Sequence, residues 1–80
     1  MPSYDTQTGC LVWDTVAQRP DIRYLDGTRY GGLHCGDTLE VLIRNRWIAT
    51  RIEYSHDAGQ WYLVGMGIRY EFQGLSVRKR

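Results

Sequence analysis

No apolar run in this 80-residue chain approaches the ~20 residues that a membrane-crossing helix requires. The opening stretch Met1–Gly9 is polar and lacks the hydrophobic segment of a secretory signal. Both absences predict a cytoplasmic protein that does not engage membranes. Cysteine is scarce as well. Cys10 and Cys35 stand 25 positions apart and form no CxxC pair. With His34 and His56 they are the available soft ligands, and their spacing matches no zinc finger. No metal and no other cofactor is expected. In a reducing compartment the two cysteines are expected to be free thiols, buried or half-buried. No glycine-rich loop leads into a helix, which removes the usual cradle for a nucleotide phosphate.

Charge of one sign is also lacking: the net charge is only +1. Its distribution is uneven. Arg78, Lys79 and Arg80 hold three of the ten basic residues, so the rest of the chain carries seven basic against nine acidic groups. The body is therefore mildly acidic, with a basic C-terminal tip at 79–80 that reads either as a phosphate contact or as a solvated, frayed end. Nine of the ten basic residues are arginine, whose planar fork suits interfaces.

What the chain does have is aromatic bulk and β-strand patterning. Three Trp, six Tyr and one Phe supply large side chains to a small domain. Strand-like blocks follow one another: Gly9–Trp13, Ile22–Leu25, Thr28–Tyr30, Thr38–Ile43, Trp47–Tyr54, Gln60–Val64 and Leu75–Arg78. Turn signals separate them, including Asp26-Gly27 as a two-residue hairpin turn and Arg44-Asn45-Arg46 as a tight one. Thr15–Pro20 reads as a connection closed by Pro20, and Ile68–Gln73 as a short helical turn. Five to seven short strands with frequent turns predict an all-β, small antiparallel barrel, which also removes the exposed edges of a flat sheet. The domain spans 9–78, after a lead-in of residues 1–8. Its expected core is Leu11, Trp13, Leu39, Val41, Ile43, Ile48, Ile52, Leu63, Leu75 and Val77.

From Gly36 onward the block GDTLEVLIRNRWIATRIEYSHDAGQWYLVG has the strand-turn-strand pattern of SH3-like and Tudor-like barrels. More closely, YGGLHCGDTLEVLI, RWIATRIEY, WYLVG and the late QGLSVR resemble a family of small bacterial proteins classed as a domain of unknown function (DUF5348). The resemblance covers about Gly9 to Arg78. It implies an SH3-like barrel in a cytosolic setting, often on mobile elements or phages, and it transfers no catalytic residue.

Catalytic sets are weak against their structural alternatives. Cys35 beside His34 cannot easily receive its neighbour's ring, because adjacent strand positions point to opposite faces. Asp37 after Gly36 reads as a cap of the bend through local hydrogen bonds. No enzymatic activity is expected. The strongest candidate surface is aromatic and arginine-rich: Trp47, Arg51, Tyr54, Trp61 and Tyr62, with Arg44 and Arg46 at the adjoining turn. Alternation places Trp47, Ala49, Arg51 and Glu53 on one face, joined by Tyr62 or Trp61 according to register. Such a set is a protein-binding hot spot, a stacking platform for single-stranded nucleic acid, or simply a cover for the core. Tyr30 and His34, around Gly31-Gly32, form a second candidate. Those glycines either relieve a bend or admit another chain. The reading favoured is a non-catalytic module with a protein partner, such as a small inhibitor acting against a host or defence factor. The alternative is a nucleic-acid binder using Arg44, Arg46, Arg51 and Arg78–Arg80.

Overall fold

The computed structural model describes residues 8–66 and 74–80. Six strands, β1 (Thr8–Asp14), β2 (Arg19–Tyr24), β3 (Thr38–Ile43), β4 (Arg46–Ser55), β5 (Gln60–Leu63) and β6 (Ser76–Lys79), make one sheet. Its order is β2-β1-β6-β3-β4-β5, and every neighbouring pair is antiparallel. The sheet curls into a half-barrel consistent with a small SH3-like barrel, as the strand pattern predicts. The helical turn expected over Ile68–Gln73 lies outside the described residues.

The β3–β4 hairpin follows directly from its sequence. Thr38–Ile43 alternates so that Leu39 and Val41 are buried while Thr38 and Glu40 point outward. Arg44 and Asn45 both take positive φ (50° and 67°), the twist that a two-residue hairpin turn needs, and Arg46 already pairs with Ile43. The turn is thus shorter by one residue than expected. β6 lies between the two hairpins, with Val77 opposite Gly9 of β1 and Val41 of β3. A Cβ at Gly9 would overlap the carbonyl of Arg23, so the tight approach of β1 and β2 depends on that glycine.

Several strand ends shift by a residue, and two segments depart further from expectation. β2 begins at Arg19 and includes Pro20, which is tolerated because it stands next to the strand's first residue. The Asp26-Gly27 hairpin closes by a three-residue loop, since Arg23 bridges Arg29 and the Tyr24 amide donates to the Thr28 carbonyl at 2.8 Å. The return arm then runs along β2 without becoming a named strand. Tyr30 N–H donates to Ile22 O (3.0 Å) and Leu33 N–H to Pro20 O (2.9 Å), covering the outer edge of β2. Between them the amides of Gly31 and Gly32 both turn onto Asp21 Oδ1, at 3.0 and 2.8 Å, which also accepts from Ile22 N–H at 2.9 Å. Both glycines have φ above 100°, so the bend accounts for the Gly-Gly pair. Asp21 is buried, and these three donors satisfy it.

Among the described residues the buried core is aliphatic: Leu11, Ile22, Leu33, Leu39, Val41, Ile52, Leu63 and Val77. Ile43 and Leu75, expected inside, are half-buried against it. Trp13 and Ile48 correct the expected core, at 38% and 37% exposed. Both lie on the inner face. Trp13 sits near the end of β1, beyond Leu11, where the curled sheet opens. Ile48 lies on the part of β4 that β5 does not reach, because β5 pairs only with Ile52–Ser55. Ile22 and Leu33 take their place. Leu33 sits in a bend, where periodicity gives no signal.

Candidate functional site

The sheet divides the expected aromatic cluster in two. Glu53 pairs with Tyr62 and Tyr54 with Trp61, which settles the register. Trp47, Arg51 and Tyr62 therefore share the outer face, while Tyr54 and Trp61 lie on the inner face, near the mouth of the half-barrel. Arg44 and Arg46 are exposed at the tip of the β3–β4 hairpin.

On the outer face, the Arg78 guanidinium lies 4.1 Å from the Trp47 ring centroid. Its Nε donates to Glu40 Oε1 at 2.6 Å, across the β3–β6 pair where the two residues are directly opposed. Arg51 Nε donates to Glu53 Oε2 at 2.9 Å along β4. Thus two arginines on this face have a carboxylate partner. Arg78 and Lys79 belong to β6, and the Arg80 amide donates to Thr38 O, so the basic end is part of the sheet and not a frayed tip. Beside these groups a groove of about 420 Å³ is lined by Thr38, Ala49, Thr50, Arg51, Val64 and Arg80.

At the mouth, a second cleft of about 430 Å³ is lined by Trp13, Gln18, Tyr54, Gly59, Gln60 and Trp61. It lies between the β1–β2 and β4–β5 turns, which share one design. Each is a four-residue loop, closed by a backbone bond from Gln18 N–H to Asp14 O (2.8 Å) or from Gly59 N–H to Ser55 O (2.7 Å). Each ends in a residue of positive φ, Gln18 at 59° and Gly59 at 68°. The last strand residue caps each loop: Asp14 Oδ1 accepts from Val16 and Ala17 N–H, and Ser55 Oγ from Ala58 N–H. Just before each cap stands an aromatic of the cleft, Trp13 or Tyr54. Tyr54 meets Trp61 edge-on at 5.3 Å and His56 at 5.1 Å, and Trp61 packs on the core. The bonds from Ala17 and then Val16 hold the Asp14 carboxyl below the usual range, so it is ionised at neutral pH.

Sequence reasoning missed Trp13, Gln18 and Gln60 as surface-site residues. The available signal was the repeated spacing of aromatic, capping residue, three loop residues and left-handed residue in WDTVAQ and YSHDAG. The second candidate is partly assembled. Tyr30 is exposed and carries Lys79 Nζ 5.5 Å from its ring centroid. His34 is exposed, and its amide donates to Asp37 Oδ2 at 2.8 Å, the cap expected of Asp37. Both cysteines are free thiols; Cys10 is half-buried, and Cys35 is exposed in the turn it forms with Gly36. Among the described residues no group of three or more His, Cys, Asp and Glu side chains could hold a metal ion.

Known proteins give the geometry a family context. The family described as "Domain of unknown function (DUF5348)" matches residues 9–79. A crystal structure of a protein from Ruminococcus gnavus, a structural-genomics target, is 41% identical, with a TM-score of 0.78 over 89% of this chain and 97% of that one. No curated protein matches the chain.

Proposed function

The chain belongs to the DUF5348 family, and within it we propose that this protein is a non-catalytic module that binds another protein. One observation carries the reading. Among the described residues the fully buried core is aliphatic, and every aromatic side chain is half-buried or exposed: Trp13, Tyr24, Tyr30, Trp47, Tyr54, Trp61 and Tyr62. Aromatic area in so small a domain would ordinarily be buried, where it stabilises most. Placed at the surface, Trp and Tyr are the side chains that dominate protein interfaces.

The nucleic-acid alternative draws on Arg44, Arg46, Arg51 and Arg78–Arg80. The carboxylates of Glu53 and Glu40 on Arg51 and Arg78 weaken it, since phosphate would have to displace them. The test has two arms on the intact chain. Selection from a displayed library of bacterial protein fragments should enrich specific segments that keep binding in high salt and fail against Trp13→Ala or Trp47→Ala. Fluorescence anisotropy with DNA and RNA should give no binding at physiological salt. An empty selection, together with tight, steeply salt-dependent nucleic-acid binding, would replace this reading with the alternative.

A further inference from the structure

We propose that the cleft between the two hairpin turns receives an arginine side chain presented by the protein partner, its guanidinium seated among Trp13, Tyr54 and Trp61. The proposal rests on the protein-binding reading and names the chemistry of that contact.

The molecule itself contains the pattern. On the outer face the Trp47 ring is covered by Arg78, which is held in turn by Glu40. Tyr30 is approached in the same way by Lys79. At the mouth, among the described residues, no cation is placed over Trp13, Tyr54 or Trp61, and no basic side chain lines the cleft. The walls suit a flat cation. Tyr54 and Trp61 stand at 65° to one another, so they form a corner, and Trp13 lines the cleft from the facing hairpin. Ring faces attract a guanidinium through their quadrupole, more strongly where water is partly excluded.

The polar groups point to the same occupant. Gln18 and Gln60 each bring an amide carbonyl, an acceptor for the five N–H donors of arginine. Gln18 is steadied by its own amide, which donates to Thr15 O at 2.8 Å. Both flanking turns carry negative charge. Asp14 caps the first and is held ionised, and Asp57 is exposed in the second. Neither lines the cleft, and the Arg29 cation acts on Asp14, but the two carboxylates still favour a positive ligand over a phosphate. The capped turns fix both walls before binding, which lowers the ordering cost.

The probe is the peptide acetyl-Gly-Ser-Arg-Ser-Gly-amide, titrated into the ¹⁵N-labelled full chain and followed by NMR. Controls replace its arginine with citrulline or norleucine. The indole N–H signals of Trp13 and Trp61 should shift saturably with the arginine peptide, that of Trp47 should stay in place, and citrulline should weaken binding about tenfold. Trp13→Ala should abolish the shift at Trp61 while Trp13→Phe keeps it, and the spectra of the free variants report whether each is folded. Equal shifts from the citrulline peptide, movement at Trp47 alone, or no saturable shift would overturn the proposal. Partners selected from the fragment library separate the two readings. Binding that ignores Trp13→Ala and depends on Trp47 would sink this inference and leave the protein-binding module standing.

Discussion

Trp47 and Trp13 are two partly exposed indoles on opposite faces of one sheet, and their surroundings differ in what has already been supplied. Trp47 has its cation, and the cation has its carboxylate, all from neighbouring positions of β3, β4 and β6. Trp13 stands in a cleft with two other rings and two amides, between turns that carry negative charge. Exposure alone would rank the two alike as binding residues. The comparison shows that the useful question is whether a ring's partners already belong to the fold.

The largest expected effect is one that both indoles share. Ile52→Ala empties a fully buried position of the common core and should cost about 2–4 kcal/mol in urea unfolding. Trp13→Ala should cost less than Ile52→Ala, because 38% of Trp13 is already in water while Ile52 is fully buried. Equal losses in the two variants would make Trp13 a core residue and dissolve the contrast. Next comes Asp21→Ala, which strands three amide donors on the β2 side, two of them in buried contacts, and should cost about 2–3 kcal/mol. Its structural consequence should be one-sided: ¹⁵N shifts spread through the β1–β2 hairpin and the Trp13 indole, while the Trp47 indole is little moved. A double-mutant cycle supplies the third, smaller test. Trp47→Ala with Arg78→Ala should reveal a coupling of about 0.5–1 kcal/mol, whereas Trp13→Ala with Arg78→Ala should be additive.

The same contrast explains how much could be read from the chain. β3 and its turn were legible because alternation and hairpin chemistry agree from Thr38 to Arg46. The face shared by Trp47, Ala49, Arg51 and Glu53 follows from the period of two along β4. The cleft was not legible, since it joins residues 13 and 18 to residues 54–61 through the curl of the sheet, and no local pattern specifies curl. Trp13 read as core because it continues the inner row after Leu11, yet that row outruns the covering strands. Arg78 was hidden for a different reason. As the third residue from the chain end it looked like a tail, and only the pairing of β6 with β3 brings it over Trp47. Leu33 and Asp21 depend on an arm that pairs irregularly with β2, which no strand period marks.

The smallest expected effect concerns the charge that fixes one wall of the cleft. Asp14 is ionised more readily in the folded chain than in the unfolded one, because the Ala17 and Val16 amides donate to its carboxylate. A group whose folded pKa is lowered adds stability above its unfolded pKa, near 3.8, and loses it as the pH falls through the folded value. Asp14→Asn retains an oxygen for the two amides but not the charge. Wild type should therefore be more stable than the variant at pH 5, and the gap should shrink as the pH drops below 3.8, measured by urea unfolding at several pH values. Asp26 is lowered in the same direction, by the Thr28 hydroxyl and amide, so Asp26→Asn serves as the parallel case away from the cleft. A gap for Asp14→Asn that does not change with pH would mean that the turn is held by shape alone. Asp14 would still be ionised at neutral pH, so the charge beside the cleft would remain, but it would not be what fixes that wall.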